Sequence, residues 1–204
     1  MQKQTDKKTM RIIAGCMFCV ASLLWICGYL KEILYATNTI ALFESLFCAS
    51  TAIAFIFSAV ALFSNRRVFG AIGCGIAVLP AAYNGISISF PLPNSSMLIV
   101  ALSLIISFFL LYLFLFNILS FVFLGLSFLL KKANIGMGIT SATFSSILAC
   151  IYIFLELPSA WLGIFCGLAF LFMAPGAILA SICFAAPRKP TAPLPSPAPY
   201  HDCY

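Results

Sequence analysis

Apolar stretches of 19 residues or more recur along the whole chain, and the short connections between them hold nearly all of its charge. A helix needs about 20 apolar residues to cross a hydrocarbon core of roughly 30 Å. The stretches are Ile12–Leu30, Ile40–Phe63, Val68–Phe90, Met97–Leu130, Ile135–Leu155 and Trp161–Phe184. Inside lipid every backbone N–H and C=O must be satisfied internally, which leaves helices or a closed barrel. Barrel strands alternate apolar and polar residues. These runs are apolar all round, so the expected fold is all-α, a polytopic bundle of six transmembrane helices.

The composition agrees: 63% of the 204 residues are hydrophobic and 8% are charged. No connection is long enough to hold a separate soluble domain. The predicted organisation is a six-helix membrane domain over residues 1–186 and a disordered proline-rich tail over 187–204.

The net charge of +6 raises the question of nucleic acid, and the positions of the charges answer it. Lys3, Lys7, Lys8 and Arg11 precede the first stretch. Arg66 and Arg67 follow the second, Lys131 and Lys132 the fourth, and Arg188 and Lys189 the sixth. The clusters recur at every second connection, as the positive-inside rule expects. The opposite connections hold Lys31 with Glu32, the uncharged loop around Pro91–Ser96, and Glu156. Both termini are expected in the cytoplasm of a multi-pass cell-membrane protein. The basic residues set orientation and meet anionic headgroups; no nucleic-acid partner is expected.

Met97–Leu130 is long for one span, 34 residues or about 51 Å as a straight helix. A hairpin would put Lys131 and Lys132 outside and break the charge pattern. No proline or turn cluster interrupts the run, so one long helix is expected, with one end in the interface. The first stretch resembles a signal peptide superficially. It is long for one, no small-x-small cleavage site follows it, and an uncleaved span is expected.

Eight of the nine cysteines lie in the apolar stretches and read as small hydrophobic packing residues. Cys16 and Cys19 have CxxC spacing, yet zinc wants four N or S ligands and the single histidine, His201, is in the tail. No metal and no cofactor is expected. Asn94-Ser95-Ser96 is a glycosylation sequon on the predicted outer side. The tail has prolines at 187, 190, 193, 195, 197 and 199, which favour extended polyproline II. It reads as a solvated tail, and alternatively as a docking peptide for a cytoplasmic partner centred on Pro190 and Pro193.

Small residues let helices approach in lipid. The third stretch carries Gly73, Ala77, Ala81 and Gly85. The fifth carries Gly138, Ala142, Ser146 and Cys150, with Ser141, Ser145 and Ala149 beside them. These two are expected at the centre. The fourth, mostly Leu, Phe and Ile, is expected to face lipid. Pro80 and Pro175 should kink their helices. Cys74–Leu79 and Cys166–Leu171 are similar hexapeptides at a shift of 92 residues. The remaining sequence aligns poorly at that shift, and the likeness is read as coincidence.

Ionisable residues within a span are functional candidates. Glu44 is one, near the outer end of the second stretch, where Lys31 could pair with it. Tyr83 and Asn84, just past Pro80, are the polar pair best placed to bind a small ligand. Asn117 reads as an interhelical hydrogen bond. No span holds the His or paired Asp that intramembrane proteases use, and no HExxH, G-x-S-x-G or P-loop is present. No catalytic residue is expected. The leading expectation is a non-enzymatic partner or scaffold subunit that binds a membrane protein or the lipid bilayer. The alternative is a transport or solute-binding subunit with an apolar pocket near Tyr83 and Asn84.

The orientation can be checked by single-cysteine labelling in a cysteine-free background. A cysteine at position 95 should react with an impermeant reagent from the outside and one at position 66 from the cytoplasmic side. Labelling of position 95 from the cytoplasmic side alone would refute the assignment.

Overall fold

A computed structural model describes residues 2–88, 115–130, 134–155 and 160–185, with side chains at 6–80, 115–130, 135–154 and 161–185. Seven helices form among the described residues: α1 Gln2–Leu34, α2 Thr39–Ala49, α3 Ala52–Ser64, α4 Arg67–Ile88, α5 Leu115–Leu129, α6 Asn134–Leu155 and α7 Ala160–Phe184. Four spans are long and apolar enough to cross a membrane: Asp6–Leu34, Thr39–Ser64, Ile135–Phe154 and Trp161–Phe184. Two shorter apolar helices, Arg67–Pro80 and Leu115–Leu129, stand at the third and fourth stretches. The fold is an all-helical membrane bundle. The tail 187–204, the loop with Asn94, and residues 97–114 lie outside the described residues.

The second stretch is not one helix. It divides at Ser50 and Thr51 into α2 and α3, which together still form the span Thr39–Ser64. Both residues keep right-handed torsions. The backbone tightens there into three-residue bonds, Thr51 N–H to Cys48 O at 3.2 Å and Ile53 N–H to Ser50 O at 2.9 Å. The cause is chemical: the Ser50 hydroxyl donates to Phe47 O, competing with the backbone for that carbonyl, as Ser and Thr do. α2 starts on Asn38, whose side chain accepts from Ala41 N–H at 2.7 Å in an ordinary N-cap.

α3 and α4 form a tight antiparallel hairpin. Asn65 takes the left-handed conformation, φ 57°, which asparagine tolerates. Arg66 N–H then reaches back to Ala61 O at 3.0 Å, the six-to-one bond of a Schellman-type stop. The turn starts α4 at Arg67, whose guanidinium donates to Phe184 O at the last residue of α7 and lies 5.3 Å from the Phe184 ring centroid. Cys183 lies 4.0 Å from Lys7 O. Lys7, Arg67 and the end of α7 therefore meet at one end of the bundle, while Lys31 and Trp161 meet at the other.

α1 packs on α7 and α3, α3 on α4, and α6 on α7. The contact residues are small where the chains come closest. A Cβ on Gly138 would run into the Ser181 side chain and stand 2.9 Å from Ala177 O. A Cβ on Gly73 would meet Phe57, with Ala54 Cα at 3.3 Å. On α6 the buried positions are Gly138, Ser141, Ala142, Ser145, Leu148 and Ala149, while Ser146 and Cys150 are exposed. A strict four-residue stripe rotates by about 40° per step at 3.6 residues per turn. By its third step it has left the contact face.

Two further expectations are corrected. The described part of the fourth stretch does not face lipid. Phe121, Leu124 and Phe128 of α5 are fully buried, and α5 touches α3, α4, α6 and α7 through them and their neighbours. Nor are the cysteines uniformly packing residues. Cys48, Cys74 and Cys166 are buried, but Cys16, Cys19, Cys27 and Cys150 are exposed on outward faces. α4 and α7 run as helices through Pro80 and Pro175. The two similar hexapeptides pack differently: Gly75 faces open space, whereas Gly167 lies tightly against Ile153 and Ala149 of α6.

Gly138→Ala should therefore destabilise the bundle by about 1–3 kcal/mol, the usual cost of overpacking. Gly75→Ala should be neutral or stabilising by up to about 1 kcal/mol, since alanine is the better helix former. Thermal unfolding in detergent separates the two, and equal shifts would overturn the packing assignment.

Candidate functional site

The polar and aromatic side chains of the interior gather around Trp25. The ring is 1% exposed. It meets Phe170 of α7 edge-on at 5.4 Å, Phe55 of α3 at 6.0 Å and Tyr29 of α1 at 5.7 Å. Phe121 of α5 joins Phe55 at 5.7 Å and Phe170 at 6.3 Å, and Tyr152 of α6 stacks on Phe170 at 5.8 Å. Rings from five helices thus occupy the middle of the bundle.

The α2–α3 break lies against this cluster. Trp25 Nε1–H donates to Cys48 O at 3.1 Å, a carbonyl beside the interrupted helical ladder. Thr51, also 1% exposed, has a hydroxyl with no hydrogen-bond partner among the described residues. The carbonyl it would ordinarily use, Phe47 O, is taken by Ser50.

A second polar set joins α5 to α6. Asn117 Nδ2–H donates to the Tyr152 hydroxyl at 3.1 Å, so Asn117 makes the interhelical bond its position suggested. The Ser120 and Ser145 hydroxyls are 2.8 Å apart, and the Ser141 hydroxyl donates to Ser120 O at 2.9 Å. Each of the three serines is fully buried and its hydroxyl has a partner, the condition under which polar groups are tolerated in a low-dielectric interior.

Glu44 is half-buried on α2, one turn before Cys48, and its helix packs against α4. Tyr83 and Asn84 belong to the helical backbone of α4, but their side chains lie outside the described residues. Lys31 lines a surface groove with Cys27, Leu30, Leu34, Tyr35 and Trp161. Sequence reasoning missed Trp25 and Thr51. The available signal was the Ser50–Thr51 pair at mid-span, two adjacent hydroxyls that each seek a backbone carbonyl. Among the described residues no group of three or more His, Cys, Asp or Glu comes together.

No protein-family description, curated protein or solved structure matches this chain.

Thr51→Val should keep or raise stability in detergent, because it removes a buried hydroxyl that bonds nothing among the described residues. Trp25→Phe should lower stability by about 1–2 kcal/mol, through the lost hydrogen bond, up to about 1.7 kcal/mol in a membrane bundle, and reduced ring contact. Thermal or denaturant unfolding checks both. A large loss in Thr51→Val would show that its hydroxyl is bonded after all.

Proposed function

We propose that the chain is a small, non-enzymatic, multi-pass subunit of the cell membrane whose task is to associate with another membrane protein. The observation that carries this reading is a set of small residues on the outward side of α6, among its larger apolar side chains. Its inward face packs on α5 and α7. Its outward face presents Gly136, Thr143, Ser146 and Cys150 between Ile139, Ile147 and Phe154, all exposed, and Gly136 has open space where a side chain would stand.

Helices associate in lipid through such small surfaces. The hydroxyls on this face need no rescue: Thr143 donates to Ile139 O at 3.0 Å and Ser146 to Ala142 O at 2.9 Å. The face can stay in lipid or meet a partner helix without stranding a polar group. The interior supports the same reading, since aromatic rings fill the place a translocation path would take. The cytoplasmic orientation of both termini, and the proline-rich tail as a docking segment for a cytoplasmic partner, belong to this proposal.

A second reading keeps the solute-binding subunit in play, with Glu44, Tyr83 and Asn84 as ligand contacts. Its support is the α2–α3 break. Discontinuous helices at membrane depth are where transporters bind their substrates, and the unbonded Thr51 hydroxyl lies at that break.

Affinity purification of the full chain in mild detergent, compared with Gly136→Leu and Thr143→Leu, tests the first reading. A membrane protein should co-purify with the wild type and be reduced at least tenfold with either variant, while thermal stability is unchanged. Co-purification that survives both substitutions, or absence of any membrane-protein partner, would overturn it.

A further inference from the structure

We infer that the groove between the end of α1 and the start of α7 holds one phospholipid with an anionic headgroup. This rests on the membrane character of the fold and not on the partner reading. The groove has a volume of about 350 Å³ and is lined by Cys27, Leu30, Lys31, Leu34, Tyr35 and Trp161.

Its floor is apolar and outward-facing. Cys27, Leu30 and Leu34 lie on the exposed side of α1, the side that meets acyl chains. Its far wall is preformed. The Trp161 indole donates to Cys27 O at 3.2 Å and its ring lies 4.6 Å from Phe165, so it is pinned across the two helices. Gly28 makes the approach possible, with Leu162 and Phe165 just over 3 Å from where a Cβ would be.

The rim is what selects the occupant. Lys31 is exposed at the groove, and none of the six lining residues is acidic. Glu32 is one residue on, about 100° around the helix, half-buried and outside the groove. Trp and Tyr prefer the headgroup level, where an apolar ring and a polar atom are both accommodated. Trp161 and Tyr35 therefore mark the height at which a headgroup sits, and Lys31 is the cation at that height. An acyl chain along Cys27, Leu30 and Leu34 would bring its phosphate to Lys31.

The chain has only two tryptophans, one in the groove and one buried at the core, so lipid contact at the groove can be read by fluorescence. Full-length protein is placed in nanodiscs containing acyl-brominated phosphatidylglycerol or acyl-brominated phosphatidylcholine. The Trp161 signal is the wild-type emission less that of Trp161→Phe. Quenching of Trp161 should favour the anionic lipid roughly fivefold, the factor one lysine near an anionic surface contributes. Lys31→Gln should bring the two lipids to parity, Lys31→Arg should keep the preference, and the buried Trp25 emission should not change. Three results would each overturn the inference: equal quenching by the two lipids in the wild type, no quenching of Trp161, or a preference that survives Lys31→Gln.

Discussion

Trp25 supplies both kinds of interaction that can hold helices together in lipid. Burying apolar surface against protein gains little when the alternative is hydrocarbon, so association rests on close van der Waals packing and on hydrogen bonds. The Trp25 ring touches α3 and α7 at once, and its N–H closes on the carbonyl of Cys48 at the α2–α3 break. The break would otherwise expose a less satisfied backbone to the interior, which costs more in lipid than in water. Indole and break are thus complementary. The donor is tolerable in the core because Cys48 O, which also accepts from Thr51 N–H, has a second lone pair within its reach.

The rest of the packing repeats a simpler device, a ring laid over a glycine. Phe128 of α5 covers Gly70 of α4, Phe57 of α3 covers Gly73, Phe63 of α3 covers Gly15 of α1, and Phe18 of α1 covers Gly176 of α7. The chain has 21 phenylalanines and 12 glycines, and at these positions the two are used together. A ring supplies many weak contacts, and a glycine removes the Cβ that would hold the partner helix off. This explains why α5 is central although its sequence looks like lipid-facing surface. In a water-soluble protein a run of Leu and Phe means burial. In a membrane it means burial or lipid, and the deciding information lies on the opposing helices, in Gly70 and Cys74 of α4 and Ser145 of α6.

The helical class and the apolar segments were legible in the chain because the bilayer sets a length that few soluble sequences meet. The gathering of Lys7, Arg67 and the end of α7 at one end was legible as well, since the basic residues recur at alternate connections. Asn117 was readable, because an amide in a span has few alternatives to another helix. The interior site was not. Trp25 and Tyr29 carry no pattern that separates a core ring from an interfacial one. The α2–α3 break depends on which of two adjacent hydroxyls wins the carbonyl of Phe47, a local competition decided by tertiary contacts. The small-residue stripe on α6 was read with a four-residue period, which drifts off the contact face. An alternation of three and four residues tracks it, and gives Gly138, Ser141, Ala142, Ser145, Leu148 and Ala149 as the buried set.

α6 then becomes the most informative element for function. A helix that serves only to complete a bundle can place large apolar residues on its lipid side, as α1 does with Leu23, Ile26 and Leu30. α6 does the same with Ile139, Ile147 and Phe154, and sets Gly136, Thr143, Ser146 and Cys150 between them on the same outward side. Glycine and threonine are weaker helix formers than leucine, so this face costs helix stability for no gain in internal packing. Its hydroxyls are turned back onto their own helix, which removes the polar penalty and leaves gaps between the larger side chains. Such gaps take side chains of a second helix, which is the contact the proposed partner would make. The groove beside Trp161, at the outward edge of α1, is an open apolar surface that carries a cation. The proposed partner helix and the proposed lipid therefore call on different elements, α6 for the first and the ends of α1 and α7 for the second.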